Sequence, residues 1–109
     1  MRNESHTPLT EGVYYILLSL TDRLHGYGIM QFVSELSNNR VKLAPGTLYG
    51  ALNNLMKKGL IESIDSPEDA KKKEYILTPL GLETLKSEHI RLKELVENGN
   101  KLLGGINND

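Results

Sequence analysis

The sequence predicts a mainly α fold with a small β-hairpin, and three observations carry this. Apolar residues recur at three- and four-residue steps in four separate segments, the signature of helices that each bury one face. The run Leu60 to Asp65 alternates in character and is answered by Tyr75-Ile76-Leu77-Thr78 as a returning strand. Prolines and glycines fall at segment boundaries, where a first helical turn or a left-handed cap accommodates them. At 109 residues the chain is long enough for one compact domain and too short for two ordinary ones.

The first helix is expected to start at Thr7-Pro8 and to run to Thr21-Asp22, with Leu9, Val13, Ile16, Leu17 and Leu20 at helical spacing. Its other faces carry Tyr14, Tyr15 and Leu18, so it is apolar nearly all round and needs more cover than a small monomer supplies. His25-Gly26-Tyr27-Gly28 breaks the pattern, after which Ile29, Met30, Phe32, Val33 and Leu36 mark a second helix that stops near Ser37-Asn38-Asn39. A turn through Arg40-Val41-Lys42 leads to a third helix, opened by Pro45 and ended at Gly59. There Leu48, Leu52 and Leu55 form one stripe with Ala51 beside it, and the opposite side carries Gly46, Gly50, Asn53 and Lys57. Each glycine costs a helix about 1 kcal/mol relative to alanine, so two on the outer face point to something that approaches the backbone. An ordinary amphipathic helix with tolerated glycines is the plain alternative.

Beyond the strand that starts at Leu60, Ser66-Pro67-Glu68-Asp69-Ala70-Lys71-Lys72-Lys73 is too long for a two-residue turn and holds almost nothing to bury. It is expected to form an exposed wing tip. Thr78-Pro79 supplies an N-cap and a first helical residue for a fourth helix. Leu82, Leu85, His89, Leu92 and Val96 give that helix a coiled-coil-like seam, which Leu95 and Leu102 or Leu103 extend. Gly99 is expected to weaken it and the segment from Gly104 to fray. A second helix, a turn, a third helix flanked by cations and then a hairpin is the arrangement that reads DNA. The organisation expected is a winged helix-turn-helix over residues 1–78 and a C-terminal dimerisation helix with a frayed tail over 79–109.

The formal charge is −1, so distribution decides whether a polyanion is a partner. Between Arg40 and Lys73 there are seven basic residues against four acidic ones, a net of +3, gathered around the third helix and the wing. The chain has no cysteine, which excludes thiol nucleophiles and thiolate metal sites. The longest apolar run, Val13 to Leu18, is far short of the ~20 residues that span a bilayer. A cytoplasmic protein that is not an enzyme is expected, since no nucleophile motif, phosphate loop or tied pair of carboxylates is present. His6, His25 and His89 stand apart without ligand-spaced neighbours, so neither a metal nor another cofactor is expected.

With these elements in place the chain resembles the PadR family of winged-helix transcriptional regulators, in its short branch with a single C-terminal dimerisation helix. The resemblance rests on His25-Gly26-Tyr27-Gly28-Ile29, Gly46-Thr47-Leu48-Tyr49-Gly50-Ala51-Leu52, Lys58-Gly59-Leu60-Ile61 and Lys73-Glu74-Tyr75-Ile76-Leu77-Thr78-Pro79-Leu80-Gly81, in that order. Gly50 departs from the proline that the family often has there, and Lys71-Lys72-Lys73-Glu74 replaces a wing richer in arginine and tyrosine. The resemblance implies a homodimeric repressor of double-stranded DNA, with the third helix in a major groove and the wing along the backbone or the minor groove.

Residue chemistry then divides the DNA-binding candidates. Asn53 suits base-edge readout because an amide donates and accepts at adenine, and Lys57 reaches guanine or a phosphate. Tyr49 is either a phosphate contact or a tyrosine at the edge of the core; Thr47 is either a backbone contact or a local helix hydrogen bond. Gly50 lets the duplex approach. Lys71, Lys72 and Lys73 are suited to phosphates, with a solvated charge run as the alternative. The apolar excess of the first helix and the seam of the fourth cover each other if two copies pack through them, which places Tyr14, Tyr15, Leu18, Leu85, His89, Leu92 and Val96 at a dimer interface. The resemblance further implies an aromatic or multidrug-like effector among Tyr14, Tyr15, His89, Leu92 and Val96. A winged helix that binds protein or RNA without an operator is the competing reading.

Overall fold

A computed structural model describes residues 8–66 and 72–105. The chain folds as α1 (Glu11–Ser19), β1 (Leu24–His25), α2 (Gly26–Leu36), α3 (Pro45–Lys57), β2 (Ile61–Asp65), β3 (Lys73–Leu77) and α4 (Pro79–Gly104). The three strands form an antiparallel sheet in the order β1-β3-β2. This is the winged-helix order that the sequence predicts, with differences in α1, β1 and the start of α2.

α1 starts three residues after Pro8, because Thr10 and not Thr7 is its cap: Thr10 Oγ1 accepts from the Val13 N–H at 3.2 Å. It also ends at Ser19, whose hydroxyl donates back to the Ile16 carbonyl at 2.6 Å. β1 is not anticipated by the sequence; its two residues have no period of their own and exist through pairing, Leu24 with Tyr75 and His25 with Glu74. α2 starts at Gly26, so Gly28 lies inside the helix and not in a break before it. There Gly28 makes room for Leu24, whose Cδ2 an added Cβ would approach to 3.1 Å. α4 runs through Gly99 to Gly104, which is the extent that a seam continuing to Leu102 or Leu103 requires.

The turn between α2 and α3 is built by Asn38 and Asn39, both left-handed at φ 54 and 65, a region asparagine tolerates better than most residues. Ser37 holds it from inside: its hydroxyl donates to the Val33 carbonyl at 2.8 Å and accepts from the Val41 N–H at 3.0 Å. α3 ends as expected at Gly59, φ 76. The Leu60 N–H donates to the Leu55 carbonyl and the Gly59 N–H to the Met56 carbonyl, both at 3.0 Å, the paired bonds of a Schellman cap.

The core lies where α1, α2 and α3 meet the sheet. Ile16, Leu17, Leu20, Ile29 and Val33 join the α3 stripe Leu48, Leu52 and Leu55, with Leu60, Ile61, Tyr75 and Leu85 closing it. Burying each leucine of that stripe is worth about 1.5–3 kcal/mol, which fixes the opposite face of α3 outward. The first half of α4 packs on α1. There Glu88 is fully buried and accepts from the Leu9 N–H at 3.1 Å and from Arg91 at 2.9 and 2.6 Å.

Candidate nucleic-acid interface

The buried stripe of Leu48, Leu52 and Leu55 turns the opposite face of α3 to the surface. Thr47, Gly50, Asn53 and Lys57 are all exposed, as is Gly46. A Cβ added at Gly46 or Gly50 would meet nothing within 4 Å, so nothing among the described residues requires glycine at either position. Tyr49 departs from this face. Its phenol crosses to the start of α2 and covers Gly26, where an added Cβ would overlap Oη and lie 2.8 Å from Cζ. The ring is therefore both a packing element between α2 and α3 and, at 44% exposure, a surface group.

β2 and β3 pair in register from Ile61 with Leu77 to Asp65 with Lys73, and the Ser66 N–H donates to the Lys72 carbonyl at 2.9 Å. Lys72 and Lys73 stand exposed at this end of the sheet; Lys73 Nζ lies 3.5 Å from the Asp65 carboxylate. Lys71 and the rest of the expected wing tip, residues 67–70, lie outside the described residues.

Between wing and helices runs a groove of about 590 Å³, lined by His25, Tyr27, Tyr49, Lys72, Lys73 and Tyr75, with Gly26 in its floor. His25 and Tyr27 enter the sequence pattern only through the resemblance. The only signal for them in the sequence is an aromatic pair spaced by a glycine, and the β1 pairing that turns them toward the wing is invisible there. Burial, and secondarily Tyr49, pushes the Tyr75 phenol up, so it stays a neutral donor.

The second group of candidates gathers on α1 and α4. The Tyr14 hydroxyl lies 3.0 Å from His89 Nδ1, and the Tyr14 and Tyr15 rings sit 6.4 Å apart at 54°. Leu18 is half-buried against the core. Leu85 lies inside the protomer's own core at 5% exposure and offers a partner almost no surface. Beyond it α4 leaves the body of the fold: Leu92 is half-buried, and Leu95, Val96, Leu102 and Leu103 are exposed. Near the other end of α1, Arg40 bonds Glu11 and holds its carboxyl below the usual carboxylate range.

Among the described residues no three histidine or carboxylate side chains come together as metal ligands, and no helix is long and apolar enough to cross a membrane. The sequence model of the transcriptional regulator PadR-like family matches residues 13–87. An uncharacterised 37.1 kDa protein in transposon TN4556 of Streptomyces fradiae is 39% identical over 74 residues, which are 67% of this chain and 20% of that protein. The chain thus spans a fifth of that relative's length. An uncharacterised protein X of Lysinibacillus sphaericus is 35% identical over 78 residues, 67% of this chain and 72% of the relative. Among solved structures, a PadR-like transcription factor from Bacteroides fragilis superposes with a TM-score of 0.64 at 28% identity, over 84% of this chain and 87% of that one.

Proposed function

This chain belongs to the PadR-like family of transcriptional regulators, which are DNA-binding proteins and not enzymes, and from that premise we propose that it is a cytoplasmic homodimeric repressor of a pseudo-palindromic operator. The observation that carries the DNA-reading part is the outer face of α3. It presents Asn53 and Lys57 beside two glycines that the described fold does not need. Asn53 reads a base edge, Lys57 a guanine or a phosphate, and Gly50 admits the duplex; Thr47, Tyr49, Lys71, Lys72 and Lys73 hold the backbone.

The dimer reading is supported by the uneven burial of α4. Its stripe is closed over Gly81, Leu85 and Glu88 and uncovered over Leu95, Val96, Leu102 and Leu103. A second copy packed through α4 and against Tyr14, Tyr15 and His89 covers that stripe. On this reading residues 1–78 form the DNA-binding unit and 79–109 the dimerisation unit. An aromatic effector that stacks on Tyr14 or Tyr15, beside His89, Leu92 and Val96, releases the operator if it prefers the unbound spacing of the two α3 helices. A ligand with equal affinity for both spacings shifts nothing.

The test is a salt titration on the protein's own upstream DNA. If each subunit neutralises three or four phosphates, log K falls against log salt with a slope of roughly −5 to −7 for the dimer. A slope near zero, or no binding at low salt, favours a winged helix that contacts protein or RNA.

A further inference from the structure

We propose that the groove between the start of α2, Tyr49 and the wing seats one sugar–phosphate unit of the DNA backbone, with His25 and Tyr27 as its contacts on the α2 side. This rests on the DNA-binding reading above and adds a site to it. The groove is lined by an imidazole, three phenols and two ammonium groups, and among the described residues no carboxylate lines it. Of the three acids on β2 and β3, Glu74 pairs with Arg23 at 3.1 Å, Asp65 lies 3.5 Å from Lys73 and offsets part of its charge, and Glu62 is not among the lining residues. Its donor-rich walls therefore suit an anion.

The backbone points the same way. α2 starts at the groove with no acidic residue in its first turn and no side-chain cap from His25. Its first N–H groups have no partner within the helix, and such groups favour negative charge. Gly26 brings this turn close because Tyr49 lies where any side chain would stand. Tyr27, at 65% exposure, stands over the opening.

A nucleic-acid backbone fits better than a small anion for two reasons. The donors are strung from α2 to the wing and do not enclose a point. Tyr49 also joins the groove directly to the α3 face that carries Asn53, so one strand tracks from base readout into the groove. Phosphate contacts of this kind fix register and carry no sequence information.

The experiment measures wild type, His25→Ala, Tyr27→Phe and Lys72→Ala by anisotropy on operator and scrambled duplexes. It is repeated on operators with one neutral methylphosphonate moved along each half-site. Tyr27→Phe removes only a hydroxyl from an exposed ring, so it keeps the test valid if His25→Ala misfolds. Each variant is expected to weaken both duplexes equally, by about 3- to 10-fold, the net size of one ordinary hydrogen bond. One methylphosphonate position is expected to weaken wild type most and to weaken the His25 and Tyr27 variants less, because each has already lost one contact to that phosphate. Variants that bind like wild type while Lys72→Ala still weakens binding would overturn the groove site and leave the DNA-binding reading standing. An aromatic carboxylate whose binding these variants abolish, with DNA affinity unchanged, would give the groove to a small ligand and overturn it too. Absence of wild-type binding to any duplex would remove both readings.

Discussion

Gly81, in the first turn of α4, lies directly against the carbonyl of Leu60, in the cap that follows α3. A Cβ at residue 81 would overlap that oxygen and stand 2.8 Å from its carbon. Thr78 fastens the same junction: its hydroxyl donates to the Gly59 carbonyl at 2.6 Å and accepts from the Gly81 N–H at 3.0 Å, and its own N–H donates to Leu60 at 3.0 Å. The direction of α4 is thereby set by the cap of α3. In a dimer built through α4, the separation of the two α3 helices follows from this contact.

Gly81→Ala meets backbone and not a flexible side-chain end, so α4 must move. The expected cost is about 1–3 kcal/mol in urea unfolding. Operator affinity is expected to fall further than scrambled-duplex affinity, because a shifted α4 changes the spacing between half-sites. Thr78→Ala, which loses the cap without forcing a shift, is expected to cost about 1 kcal/mol.

Glu88 is the one fully buried charged side chain of the described core, held by Arg91 and the Leu9 N–H. Glu88→Gln keeps its shape and removes its charge, and about 1–3 kcal/mol of stability is expected to go with the charge-assisted bonds. Hydrogen exchange at the Leu9 amide is expected to quicken in the same variant. Unchanged exchange there would mean that Glu88 does not secure the chain ahead of α1.

Val96 and Leu103 are 61% and 66% exposed in the single protomer. Aspartates at both positions therefore leave the protomer's core intact but put unpaired carboxylates into any interface along α4. The double variant is expected to elute as a folded monomer with helical circular dichroism like wild type, and to lose operator binding. A DNA-competent dimer of this variant would place the interface elsewhere.

The helices were legible because each buries a stripe: Leu48, Leu52 and Leu55 specify α3 and its outward face without further help. The caps at Thr78 and Gly59 were legible because they are local chemistry. What the sequence concealed depends on contacts between distant residues. β1 exists only against β3, and the need for glycine at 26 and 28 comes from Tyr49 and Leu24 filling the space that side chains there would take. Leu85 shares its spacing with Leu92 and Val96, yet it faces the protomer's own core, because only the first half of α4 lies against the body of the fold. The groove joins residues 25–27 to 72–75 through that same strand pairing, so no local pattern marks it.

The central claim, that α3 reads bases while the wing holds phosphates, is tested most directly by the ratio of operator to scrambled-duplex affinity in Asn53→Ala and Lys72→Ala. Asn53→Ala is expected to lose about 1–3 kcal/mol on the operator, to change little on the scrambled duplex and to relax preference at one base pair per half-site. Lys72→Ala is expected to weaken both duplexes by the same factor, keep the ratio, and reduce the magnitude of the salt slope by about one per subunit. Equal effects of the two substitutions on the ratio would contradict it.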